Sequence, residues 1–350
     1  MMMKTTLKMV GLIVAVSLAS CSPDEMIEGV EQYDNGFFVS CEGNFGSGNG
    51  SISFVSEDGV VENGLFQTVN DLPLGDVVQS MTIIDTLAYI VLNGSAKVEV
   101  VDAGTIEYVA TITDLSSPRY VVQVSEEKAY ITDWIGEVAV LDLESNIITT
   151  TIPVGVGPEN VVVSGDYAFV ANKGGWDLGN TVSVIDIATD AVVETIVVGE
   201  KPAYFQVDAN GDVWVLSEGN TVYDENWNVV SETAGTLTKI NATSLAVEAV
   251  FAFALGEHPM NLVINETKEV LYYKNGAWST SVFSHSIYDS ELASTPFVAK
   301  SFYSLGAHDS MIYGADAMDF SQAGWVYQYT STGALVDSFQ VGVIPGGFAF

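Results

Sequence analysis

Polar side chains that could hold a ligand recur at one position of a repeated phrase. A β-rich run closes in a turn with proline or a substitute, and an amide or phenol stands one or two residues later. A ring of such groups can hydrogen-bond a large polar ligand, or can line a water-filled channel. The predicted ligand-binding residues of this set are Gln79, Tyr120, Asn160, Tyr204 and Asn261, and Ser310 and Met311 are assigned to the same position.

Aromatic side chains recur in a second set of predicted loops, which join the second and third strands of each repeat. Four of the six tryptophans fall there, where a large ring loses hydrophobic stabilisation unless something covers it. A bound ligand would cover the rings, and packing onto neighbouring repeats is the alternative. Trp214 and Trp325 are assigned to strands, hence to the core. The loop residues predicted to bind ligand are Asn44, Phe45, Asn93, Trp134, Asn172, Trp176, Trp227, Trp278 and Phe320.

Patterns for metal binding and catalysis are weak. His258 and His308 occupy the same place in consecutive repeats, but two imidazoles without a third ligand fall short of a zinc site. Residues 208–212 alternate oxygen ligands that suit Ca²⁺, although their Asn-Gly centre favours a tight hairpin turn. No Gly-x-Ser-x-Gly, His-Glu-x-x-His or phosphate-cradling glycine motif occurs. We therefore predict no metal, no cofactor and no enzyme activity.

The spacing of these positions predicts the architecture. The period is about forty residues, and each unit holds about four short strands, such as 181–186 and 191–196. This period is typical of a propeller blade, so we predict an all-β, seven-bladed β-propeller over residues 36–350. The seven copies are centred on Pro118, Pro158, Pro202, Pro259 and Pro345, with degenerate copies at Leu74-Gly75 and Leu305-Gly306.

The two ends of the chain are predicted to share one blade. The last copy stops after one innermost strand that contains Phe348, and residues 36–41, 50–56 and 61–69 would supply the other three strands. Such closure removes free sheet edges. Cys41 falls in one of these strands and is predicted to be an apolar packing residue, since no histidine lies near it in the sequence.

The N-terminus has the features of an export signal. A positively charged start precedes an apolar stretch, residues 10–18, that is too short to span a bilayer. It ends in Leu18-Ala19-Ser20-Cys21, which resembles the lipobox of bacterial lipoproteins and implies cleavage before Cys21 and its lipidation. The acidic residues that follow resemble the signal that sends Bacteroidetes-type lipoproteins to the outer face of the outer membrane. We predict a signal peptide over 1–20, a lipidated flexible tether over 21–35 and a lipid-anchored protein at the cell surface.

Net charge restricts the partners. The 45 acidic residues outnumber the 11 basic ones, for a formal charge of −34. Such a charge repels nucleic acid and anionic lipid headgroups. We therefore exclude a nucleic-acid partner and expect membrane contact only through the lipid anchor.

Two parts of the chain resemble known families. Residues 167–172, 180–186 and 192–202 closely resemble the repeat of YncE-like seven-bladed propellers. Residues 42–53 are similar to the opening blade of Bacteroidetes surface propellers, although Cys41 stands where an asparagine is expected. Some of those propellers are BtuG-type cobalamin binders that sit on TonB-dependent outer-membrane transporters. The resemblance implies a nutrient ligand such as a corrinoid and a transporter as partner.

We therefore expect a surface-exposed binding protein that captures a nutrient, with cobalamin or another corrinoid as the sharpest hypothesis, for a TonB-dependent transporter. The alternative is a protein-interaction module without a small ligand, in which the same aromatic residues contact a partner. A propeller enzyme is a third and less favoured reading. A small ligand requires a concavity, whereas a protein partner requires a broad flat patch.

Overall fold

Antiparallel hairpins of β-branched and aromatic residues build the structure. The computed structural model describes residues 33–276 and 279–350, and within them seven sheets form the blades of a β-propeller. The predicted fold is confirmed. The signal peptide, Cys21, most of the tether and Trp278 lie outside the described residues. In the described part, no helix is long and apolar enough to cross a bilayer.

The first four blades follow the chain in order. Blade 1 contains β1 (Gly36–Cys41), β2 (Ser51–Ser56) and β3 (Val61–Asn63), followed by the helix α1 (Leu65–Asn70). Blade 2 contains β4 (Val78–Ile84), β5 (Leu87–Leu92), β6 (Lys97–Asp102) and β7 (Tyr108–Ile112). Blade 3 contains β8 (Pro118–Gln123), β9 (Lys128–Asp133), β10 (Glu137–Asp142) and β11 (Ile147–Pro153). Blade 4 contains β12 (Pro158–Ser164), β13 (Tyr167–Asn172), β14 (Thr181–Asp186) and β15 (Ala191–Val197).

The last three blades include one insertion. Blade 5 begins with β16 (Pro202–Val207) and β17 (Val213–Ser217), is interrupted by a separate hairpin of β18 (Asn220–Tyr223) and β19 (Val229–Thr233), and ends with β20 (Thr236–Asn241) and β21 (Ala246–Ala252). Blade 6 contains β22 (Met260–Ile264), β23 (Val270–Asn275) and β24 (Ser281–Ser286). Blade 7 contains β25 (Ser304–His308), β26 (Met311–Asp316), β27 (Ala323–Thr330) and β28 (Leu335–Val343), and β29 (Pro345–Ala349) follows it.

The C-terminal strand closes the ring, as predicted. Strand β29 pairs with β1, with Phe348 opposite Val39, so the order in blade 1 is β29-β1-β2-β3. The predicted outer strand over 61–69 is wrong beyond Asn63. Gly64 has φ of 69° and ends the strand, and the helix α1 then buries Leu65 and Phe66 against the core.

The core lies between neighbouring blades. Cys41 is buried between blades 1 and 7 beside Val39 and Val326, which confirms its packing role, and burial raises the pKa of its thiol to about 11. Trp214 is buried between blades 5 and 6, as predicted. Trp325 lies in β27, as predicted, and is half-buried.

Two blades depart from the predicted pattern. Blade 6 has three named strands, and Val298 makes an isolated bridge to Val282 at its outer side. In blade 7 the assignment of Ser310 and Met311 to the channel mouth is wrong. Ser310 lies in the turn between β25 and β26, and Met311 begins β26. The entry to the innermost strand of this blade is instead at Tyr303.

Candidate functional site

The site lies on one face of the ring, here called the upper face. In each blade, the loop between the second and third strands and the turn into the innermost strand emerge on this face, because successive strands are antiparallel. A cavity of about 530 Å³ lies at the mouth of the central channel and is continuous with a smaller one of about 200 Å³. Both are lined by Gln79, Tyr120, Tyr204, Asn261 and Gly346.

Four of the five predicted ring residues therefore line one cavity. Burial raises the pKa of Tyr120 to about 12 and that of Tyr204 well above its usual value, so both phenols are neutral donors near neutral pH. The Oδ1 atom of Asn261 has no hydrogen-bond partner among the described residues. Asn160 is not among the lining residues, and its neighbour Glu159 takes this place.

A buried ion pair forms one wall of the mouth. The Nε and Nη2 atoms of Arg119 donate to one oxygen of Glu159 at 3.1 and 2.6 Å. The indole nitrogen of Trp134 donates to the other oxygen at 2.8 Å, and the guanidinium lies 4.3 Å from the Trp134 ring centre. Trp134, a predicted ligand-binding residue, is thus held against the mouth.

A second acid, Glu42, also lines the cavity. The hydroxyl of Tyr303 lies 3.0 Å from both carboxylate oxygens of Glu42. Burial raises the pKa of Glu42, and a nearby positive charge on Arg119 opposes that shift. Burial and the Glu42 charge raise the pKa of Tyr303. Glu42 therefore gives up protons less readily than a solvated carboxyl group.

Two lysines complete the charged lining. Lys173 lies 2.8 Å from the carboxylate of Glu218. Lys274 is buried and donates to the carbonyl oxygens of Phe302 and Tyr303 at 2.8 and 2.7 Å. Burial lowers the pKa of Lys274 to about 8.

Exposed rings lie in loops of the upper face. Trp176 is 96% exposed, Phe45 85% and Trp227 81%, and Phe320 is half exposed. Trp176 contacts Trp134 edge to face at 5.8 Å, and Phe320 contacts Tyr303 in the same way at 5.7 Å. These rings do not pack into the core, so their apolar surface is available for contact.

Two of the three predicted amides hold loops in place, and the third lies inside a blade. Asn44 donates to the carbonyl oxygen of Phe320 at 2.6 Å, and Asn93 donates to Ser117 at 2.8 Å. The prediction that Asn172 lies in an open loop is wrong. It ends β13 and is 1% exposed, because its amide donates to the hydroxyls of Thr181 and Ser183 inside the blade.

Sequence comparison supplies a family. Residues 35–315 match a family model described as "Domain of unknown function (DUF5074)". The chain belongs to the DUF5074 family. No curated protein is similar enough in sequence to match this DUF5074 chain.

Solved structures share the propeller fold with the DUF5074 chain at low identity. A quinonprotein alcohol dehydrogenase-like protein from Bacteroides thetaiotaomicron has a TM-score of 0.66 at 15% identity, over 91% of this chain and 78% of that one. The periplasmic gluconolactonase PpgL of Pseudomonas aeruginosa has a TM-score of 0.65 at 12% identity, over 89% of this chain and 98% of that one. Hydrazine synthase of Kuenenia stuttgartiensis has a TM-score of 0.59 at 15% identity, over 79% of this chain and 93% of that one. Such distant and differently named neighbours show the fold alone.

The histidines of the DUF5074 chain have structural contacts. His258 Nδ1 lies 2.8 Å from the Glu218 carbonyl oxygen and Nε2 lies 2.9 Å from the Thr221 hydroxyl, which joins the β18–β19 hairpin to the turn before β22. His308 stacks on Phe350 at 4.6 Å. Within residues 33–276 and 279–350, no cluster of three or more His, Cys, Asp or Glu side chains is placed to hold a metal.

The turn at residues 208–212 is a hairpin, as favoured from the sequence. One oxygen of Asp208 accepts from the backbone amides of Asn210 and Asp212, and the other accepts from the Trp214 indole. Both carboxylate oxygens of Asp208 therefore accept hydrogen bonds from the protein itself.

Sequence reasoning missed several lining residues, among them three with ionisable side chains. Glu42 and Tyr303 come from opposite ends of the chain, so no local pattern joins them. Lys274 had a detectable signal. It is the second-to-last residue of the second strand, and the other blades of the DUF5074 chain hold a neutral residue there: Ser40, Val91, Thr132, Ala171, Leu216 and Ala315.

Proposed function

We propose that this protein captures a small polar nutrient at the mouth of its propeller channel. It acts at the cell surface, tethered through a lipidated Cys21, and passes the nutrient to a TonB-dependent outer-membrane transporter. The observation that carries the proposal is the concave, polar mouth ringed by exposed aromatic side chains. A concavity of this kind suits a small ligand better than a protein surface.

A corrinoid such as cobalamin is the ligand to test first. Corrinoids carry amide side chains around a flat macrocycle. The mouth offers both hydrogen-bond donors and acceptors, from the neutral phenols of Tyr120 and Tyr204 and the amides of Gln79 and Asn261. The exposed rings of Trp176 and Phe45 supply apolar faces above it.

Protein interaction is the second candidate function, and one observation favours it. The hairpin β18–β19 carries a group of exposed apolar side chains. Such a patch is typical of a contact surface. In our proposal the patch contacts the transporter, and in the alternative that contact is the whole function. The exposed side chains are Val222, Tyr223, Trp227, Val229 and Val230.

We further propose that the protein is not an enzyme. The names of three structural neighbours contain the word gluconolactonase or 6-phosphogluconolactonase, so lactone hydrolysis is the activity to assay. Hydrolysis of 6-phosphogluconolactone at the spontaneous rate, with and without the protein, is the expected result. A rate that rises in proportion to protein concentration would contradict this part of the proposal.

Retention of labelled cobalamin by intact cells tests capture and anchoring together. Cells that produce the protein should retain cobalamin at their surface, and cells that produce the Cys21→Ser variant should release the protein and retain only the background amount. Equal retention by cells with and without the protein would contradict the cobalamin proposal. Siderophores and haem are tested for retention in the same way. If cells retain none of these compounds, and a transporter co-purifies with the protein only when the β18–β19 hairpin is present, the result supports the protein-interaction module instead.

A further inference from the structure

One cation at the mouth has no carboxylate within 4 Å in the described part of the chain. Lys274 is 5% exposed, and its ammonium contacts two carbonyl oxygens. The other two cations of the lining are paired, Arg119 with Glu159 at 2.6 Å and Lys173 with Glu218 at 2.8 Å. An ammonium has three donors, so among residues 33–276 and 279–350 one donor and the full charge of Lys274 are left without a partner.

The fold does not need a charge at this position. Thr132 is the counterpart of Lys274 in blade 3, and its hydroxyl donates to the carbonyl oxygen of Glu159 at 2.6 Å. Glu159 stands at the entry to the next innermost strand, as Tyr303 does beside Lys274. A neutral hydroxyl therefore makes the same bridge between blades. A buried ammonium is costly to desolvate, so its presence requires a compensating interaction.

The surroundings of Lys274 describe the missing partner. The lysine lines the 530 Å³ cavity together with the phenols of Tyr120 and Tyr204. The Oδ1 atom of Asn261 also lines it and has no hydrogen-bond partner in the described part of the chain. A cation attracts an oxyanion, phenols donate hydrogen bonds, and a free amide oxygen accepts one from a hydroxyl group. A molecule with both an oxyanion and hydroxyl groups satisfies all of them.

We propose that Lys274 binds the carboxylate or phosphate group of a hydroxylated organic anion held in the channel mouth. This inference rests on the proposed capture function and specifies the charge of the captured molecule. It accounts for a buried cation in a chain whose formal charge is −34, where the overall field repels anions. The ammonium of Lys274 can outweigh the repulsion by the net negative charge only at short range. It therefore favours anions that fit inside the cavity.

Isothermal titration calorimetry of the full chain with three matched probes tests the proposal. The probes are gluconate, which carries a carboxylate, glucose 6-phosphate, which carries a phosphate, and neutral glucose. At least one anion should bind at pH 7 with an affinity roughly tenfold or more above that of glucose, and the stronger of the two identifies the oxyanion. The proposal is overturned if neither anion binds better than glucose.

Replacement of the lysine locates the interaction. Lys274→Met keeps the length of the side chain and removes the charge, and it should abolish the preference for the anion. The matched control is Lys268→Met, because Lys268 is exposed in the turn between β22 and β23 on the opposite face. Anion binding that is unchanged in Lys274→Met would overturn the proposal. Near-ultraviolet circular dichroism verifies that both variants are folded.

The pH dependence of anion affinity gives a further test. Burial lowers the pKa of Lys274 to about 8, so the charged form is lost as pH rises through that value. Anion affinity should therefore fall by up to about tenfold per pH unit above pH 8. The same profile in Lys274→Met should be flat, which separates Lys274 from the other charged and titratable groups. Those of the cavity lining are Glu42, Arg119, Tyr120, Glu159, Lys173, Tyr204 and Tyr303, and Glu218 and Glu257 lie near Lys274 outside the lining. A wild-type affinity for anions that does not change between pH 7 and 9.5 contradicts the proposal.

Failure of this inference differs from failure of the proposed function. If a nutrient such as cobalamin binds and Lys274→Met binds it equally well, the capture function stands and the anion inference falls. If an anion binds through Lys274 but no nutrient is retained by cells, the site stands and the proposed role falls.

Discussion

Arg119 and Glu159 form an ion pair at 2.6 Å that is almost closed to solvent, although it borders an open cavity. Their side chains are only 13% and 5% exposed. Trp134 covers the pair, since its ring lies over the guanidinium and its nitrogen donates to the carboxylate. The mouth is therefore preformed on this side, and a ligand that enters it meets a fixed wall.

Glu159→Gln should lower the free energy of unfolding by about 3 kcal/mol, because it leaves the Arg119 charge buried without a countercharge. Urea denaturation at neutral pH measures this change. Glu126→Gln, at an exposed position, is the matched control and should change the free energy by less than about 0.5 kcal/mol. Equal stability of the two variants would show that the pair is not buried as described.

Trp176→Ala should weaken ligand binding about tenfold without loss of stability. The ring is 96% exposed, so its removal costs the folded state little, whereas a ligand on the upper face loses an apolar contact. Calorimetry gives the affinity and thermal unfolding gives the midpoint. Tyr288→Ala removes an exposed ring from the turn after β24, on the opposite face, and should affect neither. A large fall in the melting temperature of Trp176→Ala would assign this ring to the core.

Deletion of residues 348–350 should destabilise the whole ring by about 3 kcal/mol or more. Phe348 pairs with β1 and contacts the rings of Phe37 and Tyr313, so its loss exposes the apolar faces of blades 1 and 7. The control is Val336→Ala, at an exposed position of β28. A truncated protein that melts like the full chain would refute closure by the C-terminal strand.

Cys41 should be unreactive in the folded protein. Because burial raises the pKa of its thiol to about 11, roughly one molecule in a thousand carries the thiolate at pH 8. In a Cys21→Ser background, Ellman's reagent should label it only after unfolding, whereas an added Ser125→Cys at an exposed turn should react within minutes. Fast labelling of Cys41 in the folded state is the outcome that disagrees with this prediction.

The fold could be predicted from the sequence because its repeats carry the same turn. The proline at the entry to the innermost strand fixes the backbone there, so its recurrence marks the blades. In blade 7 Phe302 occupies the place of the proline, directly before the entry at Tyr303. The prediction used Leu305-Gly306 to locate this entry and therefore placed it several residues too late. Tyr303 was missed for this reason.

The site could be predicted only in part. Exposed rings and channel amides follow from loop positions that the repeat defines, which is why Trp134, Tyr120 and Tyr204 were found. The pairing of Glu42 with Tyr303 depends on ring closure between distant segments. Asn172 was misplaced because an asparagine at the end of a strand can turn inward when hydroxyls of the next strand accept its amide protons.

A titration of tryptophan fluorescence with cyanocobalamin, corrected for absorbance by the ligand, decides whether the channel mouth captures a ligand. Siderophores and haem serve as parallel titrants, and Trp134→Phe serves as the variant that reports on the mouth. If the channel mouth captures a ligand, one compound should quench the fluorescence saturably with one-to-one stoichiometry, and the amplitude of quenching should be smaller in Trp134→Phe. A weak response that is linear in concentration for every compound would contradict capture at the channel mouth.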